Sequence, residues 1–240
     1  IKDGIQAKEI VLEYIDLYDE IAENNLDCNI SIKPSHIGLD ISENIFLENL
    51  QLLIDKAMTT KNFLRIDMES SLATDATINA YTQALKKSDS VGTVFQAYLY
   101  RTLDDIRSIQ NNHLNFRLCK GIYKESKDIS IQDRKYINDN YLKILRYAFT
   151  VNNYVGIATH DIDLLKDIYA LIEELDVPST QFEFQVLYGV PMSGWLEKHL
   201  ENGYKVRVYV PFGPDWYDYS IRRLKENPNI AGYIIKNLFR

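Results

Sequence analysis

The segment of residues 154–175 reads Tyr-Val-Gly-Ile-Ala-Thr-His-Asp-Ile-Asp-Leu-Leu-Lys-Asp-Ile-Tyr-Ala-Leu-Ile-Glu-Glu-Leu. Its first five residues form a short apolar run, which is typical of a parallel β-strand covered on both faces. Leu164, Ile168 and Leu171 then recur with the 3.6-residue period of a helix that packs on a core. The segment therefore predicts one strand followed by one helix.

The same alternation continues along the whole chain, with further helical patterns at residues 10–21 and 46–57. The seven predicted strands are residues 29–33, 63–68, 93–98, 115–120, 154–159, 182–187 and 205–210. Strands that alternate with helices predict βα units, a parallel sheet and hence an α/β fold. No Gly-rich turn of the dinucleotide-binding or P-loop kind is present, and no linker interrupts the pattern, so we expect one domain over residues 1–240.

Seven units are one fewer than an eight-stranded barrel contains, and the chain opens on a predicted helix at residues 6–25 with no strand before it. Two folds fit this pattern. One is an open doubly wound sheet, and the other is a barrel whose first strand lies upstream of Ile1. Periodicity leaves both open.

Composition excludes several classes of protein. The chain has 240 residues, 46% hydrophobic and 25% charged, which is enough to build a sizeable core. A net charge of −7 without a basic face argues against a nucleic-acid partner. Its apolar runs are too short to span a membrane, and no basic, apolar leader appears at Ile1, so we expect a cytoplasmic protein. Cys28 and Cys119 are expected to be buried thiols, and the four scattered His residues predict no metal site.

Polar residues recur where the predicted strands end, which is the edge where parallel α/β proteins place their sites. Each of them alone is typical of a solvated loop or a helix cap, but their recurrence at one edge favours a site. The cations among them, in an acidic protein, favour a small anionic substrate or a phosphate-bearing cofactor. Tyr123, Leu187 and Tyr209 could form an apolar wall. The cations are Lys33, Arg117, Lys120, Arg222 and Arg223.

Several segments together resemble the proline dehydrogenases. They are Phe-Leu-Arg-Ile-Asp-Met-Glu-Ser (63–70), Phe-Arg-Leu-Cys-Lys-Gly-Ile-Tyr-Lys-Glu (116–125), Ala-Thr-His (158–160), Phe-Glu-Phe-Gln-Val-Leu-Tyr-Gly (182–189), Val-Tyr-Val-Pro-Phe-Gly (208–213) and Ile-Arg-Arg-Leu-Lys-Glu-Asn (221–227). They occur in the family's order over almost the whole chain. The last strand, followed by Asp-Trp-Tyr, resembles the short monofunctional bacterial members.

The resemblance implies a distorted (βα)8, TIM-like barrel that holds non-covalent FAD. It implies oxidation of L-proline to Δ1-pyrroline-5-carboxylate by hydride transfer to flavin N5. The electrons would pass to a membrane quinone or another acceptor, with peripheral association at the inner face of the cell membrane. In the family a strand precedes the opening helix, so this chain is expected to lack the first barrel strand.

The resemblance also carries residue roles. Arg222, Arg223 and Lys33 match the residues that bind the substrate carboxylate. Residues matching those that pack on the proline ring are Tyr123, Leu187 and Tyr209. Asp67 matches a carboxylate that supports the site, and Arg117 matches the arginine near flavin N5.

The remaining matches are flavin contacts, and one of them departs from the family pattern. Ile122 stands where the family usually has Ala, which adds bulk beside the cofactor. The matching flavin contacts are Met68, Gln96, Lys120, Gly121, Ile122, Thr159, His160, Gln185 and Glu226.

Two other functions remain open at this point. One is an aldolase-like barrel in which Lys33 forms a Schiff base, which would leave Gln96 and Gln185 without a role. The other is a barrel that binds flavin without turning over a substrate. A flavin spectrum and its response to proline distinguish the three.

Overall fold

The computed structural model describes residues 1–109 and 113–213. Its helices are α1 (Gly4–Glu23), α2 (Glu43–Thr59), α3 (Thr74–Leu85), α4 (Thr102–Ser108), α5 (Arg134–Thr150), α6 (Ile162–Glu174) and α7 (Trp195–Glu201). Its strands are β1 (Ile30–Ile32), β2 (Leu64–Ile66), β3 (Val91–Gln96), β4 (Asn115–Cys119), β5 (Tyr154–Ala158), β6 (Phe182–Leu187) and β7 (Val206–Tyr209). Arg222, Arg223 and Glu226 lie outside the described residues.

The seven strands form one sheet in the order β1-β2-β3-β4-β5-β6-β7. Pairing is parallel, as in the partners Ile30 and Leu64, Thr93 and Phe116, and Phe184 and Val206. A doubly wound sheet reverses its strand order at a switch point, whereas a (βα) barrel keeps sequence order throughout. The strand order therefore favours the barrel over the open sheet, and the prediction of seven parallel strands is confirmed.

The Cα positions divide the chain into two compact units, residues 1–155 and residues 156 onward, and the division lies within β5. The first unit contains β1 to β4 with α1 to α5. The second contains the rest of β5 with β6, β7, α6 and α7. Each unit is described below by itself.

Several element boundaries differ from the predicted ones for local reasons. β1 ends at Ile32 instead of residue 33, because Pro34 lacks an N–H and begins the 3-10 helix Pro34–Ile37. α1 begins two residues earlier than predicted, because the Asp3 side chain accepts a hydrogen bond from the Gln6 N–H at 2.9 Å. β3 ends at Gln96, two residues before the predicted end.

The two cysteines differ in environment. Cys28 is exposed, so the prediction of a buried thiol is wrong there: it precedes β1 by two residues and lies outside the sheet. Cys119 ends β4, and burial raises the pKa of its thiol to about 11.

In the described part of the chain, no helix combines the length and apolar character needed to span a membrane.

A buried arginine connects β2, β3 and β4. Arg65 is 2% exposed, and its guanidinium donates to the Thr93 carbonyl at 3.0 Å and to Asn115 Oδ1 at 2.9 Å. The same guanidinium lies over the Phe63 ring, 4.9 Å from its centroid. Space for this arrangement exists because residue 92 is glycine: a Cβ there would lie 2.6 Å from Arg65 Nη1 and 2.7 Å from the Asn115 carbonyl oxygen.

We expect Gly92→Ala to lower the free energy of unfolding by about 1–3 kcal/mol, the usual cost of overpacking a core. The added methyl group would press on Arg65 and on the rigid backbone of β4. Urea unfolding followed by circular dichroism measures the change. The matched control is Gly4→Ala, because a Cβ there would meet only Ile45 Cδ1 at 3.5 Å. Equal stability of the two variants would contradict the packing account.

Candidate active site

In the first unit, the predicted site residues lie at and just beyond the carboxyl ends of β1 to β4. Parallel pairing brings those ends to one edge of the sheet, so the residues share that edge. Each strand contributes to it. Lys33 follows β1, Asp67 and Met68 follow β2, Gln96 ends β3, Arg117 lies in β4, and Lys120, Gly121, Ile122 and Tyr123 follow β4.

Arg117 and Asp67 form an ion pair that joins β4 to the end of β2. Arg117 Nη1 lies 2.7 Å from Asp67 Oδ1, and each side chain is 13% exposed. Arg117 Nη2 also donates to the Ser31 hydroxyl of β1 at 3.1 Å. A guanidinium held in this way by two partners has a defined position and direction. The structure thus brings together the residue that matches the family's site-supporting carboxylate and the one that matches the arginine near flavin N5.

Gln96 presents a buried acceptor that has no hydrogen-bond partner among the residues that the structure describes. Its side chain is 2% exposed, and Nε2 donates to the Glu69 carbonyl at 2.8 Å. Its Oε1 accepts no hydrogen bond from the described part of the protein. Leaving a buried acceptor unpaired costs about 1–3 kcal/mol, and a ligand that carries an N–H or O–H could remove that cost.

Two carboxylates, which the sequence analysis missed, connect successive loops at this edge. Glu69 accepts hydrogen bonds from the Ser35 N–H and Oγ, both at 2.7 Å. Glu125 accepts from the Ser71 N–H and Oγ, also both at 2.7 Å. The available signal is a serine at the start of a 3-10 helix, where an N–H lacks a helical partner. Nothing in the sequence, however, pairs each serine with its glutamate.

Gly121 allows the loop after β4 to lie against Tyr98. Its φ is +114°, and a Cβ there would overlap the Tyr98 ring, so only glycine fits. The Tyr98 N–H donates to the Lys120 carbonyl at 2.8 Å, and burial raises the pKa of the Tyr98 hydroxyl. Beyond this turn, Ile122 is 50% exposed and Tyr123 is 37% exposed. Both predicted contact side chains are therefore accessible to a ligand.

Lys33 is a half-buried cation without a counterion among residues 1–109 and 113–213. Its ammonium group forms no ion pair or hydrogen bond within those residues. The nearby carboxylates of Glu69 and Asp67 bind Ser35 and Arg117 instead. The amine therefore remains available to bind an anion.

In the second unit, His160 supports the end of β6. Its Nε2 accepts a hydrogen bond from the Leu187 N–H at 3.1 Å, so this nitrogen carries no proton in the folded protein. Burial lowers the pKa of His160, which also favours the neutral ring. Thr159 is buried, and its Oγ1 accepts from the Asp161 N–H at 3.2 Å. Hydrogen bonds within the second unit thus place the predicted residues Thr159, His160 and Leu187.

Gln185 belongs to a charged cluster inside β6 and β7. Its Nε2 donates to Glu183 Oε1 at 2.7 Å, and Arg207 Nε lies 2.9 Å from the same oxygen. Gly156 makes room for the Gln185 amide, because a Cβ at residue 156 would overlap it. The sequence analysis missed Arg207.

Tyr209 is half-buried at the end of β7, and its carbonyl accepts from the Tyr188 N–H at 2.9 Å.

No three His, Cys, Asp or Glu side chains in the described part of the chain come close enough together to hold a metal ion.

Comparison with known proteins gives one consistent family. The family model described as proline dehydrogenase matches residues 2–234. Proline dehydrogenase 1 of Bacillus subtilis (strain 168) is 35% identical over 235 residues, which cover 98% of this chain and 78% of that protein. The proline dehydrogenase of Deinococcus radiodurans is 34% identical over 217 residues, covering 88% of this chain and 69% of that protein.

Solved structures share the fold. A crystal structure of proline utilization A from Bdellovibrio bacteriovorus, inactivated by N-propargylglycine, has a TM-score of 0.83 at 21% identity. It covers 93% of this chain, which matches only 28% of that larger chain. A proline utilization A mutant from Bradyrhizobium japonicum has a TM-score of 0.80 at 19% identity, with coverages of 95% and 27%. The predicted α/β fold of the TIM-like barrel type is confirmed.

We expect His160 to make the stability of the protein depend on pH. Because its folded-state pKa is lowered, unfolding takes up a proton once the pH falls below about 6.5, the pKa of an unperturbed histidine. Its stabilising contribution is therefore complete above that pH and decreases as the pH falls further. Chemical unfolding at a series of pH values measures this trend.

The matched variant is His160→Gln, in which the side-chain oxygen can still accept from the Leu187 N–H but does not titrate. The difference in unfolding free energy between parent and variant should be constant above about pH 6.5 and should change as the pH falls below that value. His199, whose pKa burial lowers to about 4, is present in both proteins and cancels in the difference. A difference that is independent of pH would contradict the assignment.

Proposed function

Since the chain belongs to the proline dehydrogenase family, we propose that it oxidises L-proline to Δ1-pyrroline-5-carboxylate with FAD as the hydride acceptor. The observation that carries the proposal is the Arg117–Asp67 ion pair, which fixes a cation at the carboxyl edge of the sheet. Oxidation of a C–H bond by hydride transfer places negative charge on the acceptor, and a fixed cation there stabilises that charge without reorganisation.

The substrate carboxylate is assigned to cationic side chains. Lys33 is half-buried and has no counterion in the described residues, as a clamp for a substrate carboxylate requires. Arg222 and Arg223 are proposed to complete the clamp. A bidentate guanidinium fixes the direction of a carboxylate as well as its position, so the ring carbon at the other end is aimed. Tyr123, Leu187 and Tyr209 are proposed to pack on the ring, because none of the three is fully buried within its own unit.

The residues of the first unit suit a flavin, because Gln96 Oε1 is a buried acceptor in need of a donor and a flavin ring carries an N–H. When bound, FAD supplies the hydride acceptor at N5, and the protein supplies binding, orientation and charge. Arg117 is proposed to stand near N5, where Asp67 and Ser31 hold its guanidinium. The other proposed flavin contacts are Met68, Lys120, Gly121, Ile122, Thr159, His160, Gln185 and Glu226.

The reduced cofactor must be reoxidised, and we propose a membrane quinone as the acceptor. This proposal extends the family resemblance and predicts peripheral association with the inner face of the cell membrane. A membrane-bound acceptor needs only transient contact, so it requires no spanning segment.

The test is a spectrum of the purified protein loaded with FAD, followed by anaerobic addition of L-proline. We expect a visible flavin absorption band that bleaches with L-proline, does not bleach with D-proline, and returns when a soluble quinone is added. A protein that retains no flavin would overturn the cofactor assignment. A stable band that L-proline does not bleach would instead favour the catalytically silent flavin-binding barrel.

We expect Arg117→Ala to slow flavin reduction by L-proline roughly a hundredfold, the usual effect of removing one group that stabilises developing charge. Rapid mixing under anaerobic conditions measures the rate of reduction directly. Arg117→Lys is the control, because it keeps the charge near Asp67 but loses the second contact with Ser31. It should fall between parent and Ala variant. If both variants reduce as fast as the parent and only their unfolding temperature drops, Arg117 is structural.

A further inference from the structure

We infer that Glu69 is a positioning residue that holds Lys33 in place for the substrate carboxylate and acts through Ser35. The inference rests on the proposed function for the role of Lys33. Its structural part, the dependence of Lys33 on Glu69, stands on hydrogen bonds within the first unit alone. Nothing in the family resemblance gave Glu69 a role.

Both oxygens of Glu69 are used in holding the loop after β1. Oε2 accepts from the Ser35 N–H and Oε1 accepts from the Ser35 hydroxyl, each at 2.7 Å. Short hydrogen bonds to a carboxylate are stronger than neutral ones, and two of them fix direction as well as distance. Glu69, in the segment that follows β2, therefore holds Ser35 in the loop that follows β1.

Ser35 is two residues beyond Lys33, and the backbone between them has little freedom. Lys33 is the N-cap of the 3-10 helix Pro34–Ile37, and its carbonyl accepts from the His36 N–H at 3.0 Å. The ring of Pro34 fixes its φ angle. When Ser35 is held, the Cα of Lys33 is held with it, and the half-buried side chain starts from a defined point.

The backbone of Glu69 is itself connected to the proposed cofactor site. The Glu69 carbonyl accepts from Gln96 Nε2 at 2.8 Å, and Glu69 follows Asp67 by two residues. One short segment thus connects Lys33, the Arg117–Asp67 pair and Gln96. A substrate bound at Lys33 is thereby held at a defined position relative to the residues proposed to face the flavin.

The first test is a double-mutant cycle on proline oxidation. Glu69→Ala should raise KM for L-proline about tenfold with kcat within about twofold, the pattern of lost substrate binding. In a Lys33→Met background, which has lost the amine, Glu69→Ala should raise KM no further. Glu69→Gln should restore most of the affinity, because the Ser35 hydroxyl can turn to accept from the amide. Equal effects of Glu69→Ala in both backgrounds would overturn the inference.

The second test does not depend on catalysis. Brief treatment of the full-length protein with an acylating reagent, followed by mass spectrometry, gives the labelling rate of Lys33 relative to the exposed Lys8. Glu69→Ala should raise this ratio several-fold, because the half-buried amine is released. Ser35→Ala should raise the labelling ratio less. It replaces Glu69→Ala in this test if that variant fails to fold.

The matched control is Glu125→Ala, which removes the same type of two-bond contact from Ser71. It should leave the Lys33 labelling ratio unchanged. An unchanged ratio in both Glu69→Ala and Ser35→Ala, or an equal rise in Glu125→Ala, would refute the dependence of Lys33 on Glu69. If L-proline is not oxidised by the parent protein, the proposed function fails, and the labelling ratios still decide the structural part.

Discussion

Parallel hydrogen bonding between consecutive strands is the constraint on which the site depends. Because β1 to β4 run in the same direction and pair in parallel, the residues at or just beyond the end of each strand reach the same edge of the sheet. Lys33, Asp67 and Gln96 are far apart in the chain and still share that edge. An antiparallel neighbour would send its end to the opposite edge. Strand direction therefore decides which residues can cooperate before any side chain is placed.

Side-chain bonds then convert this shared edge into a defined geometry. Arg117 binds Asp67 and Ser31, Glu69 binds Ser35, and Glu125 binds Ser71. Loops between strands and helices have few backbone partners of their own, and these charge-assisted bonds supply them. Within the described residues, the ammonium of Lys33 remains unpaired beside this network. A site that fixes its own charges and leaves one unpaired is suited to binding an anion in one orientation.

The two arginines of the first unit show how position in a strand separates stability from function. Arg65 lies in the amino-terminal half of the sheet, where it is buried among Thr93, Asn115 and Phe63 and connects three strands. Arg117 lies nearer the carboxyl edge and is held by partners that leave part of it accessible. The amino-acid composition does not distinguish the two residues, because both are arginine. Only their position along the sheet distinguishes a structural arginine from one that can act on a ligand.

The sequence by itself determined the element types, the strand–helix alternation and most of the polar residues at the strand ends, because periodicity and order along the chain are local properties. It left the choice between open sheet and barrel undecided, and strand order in the structure favoured the barrel. It also missed Glu69, Ser35, Glu125, Ser31 and Arg207, which act through partners more than twenty residues away. Whether Cys28 was buried, and which carboxylate served which loop, depended on the packed chain. Pairing across such distances is decided only when strands align, since no local pattern records which side chains the fold brings within hydrogen-bonding distance.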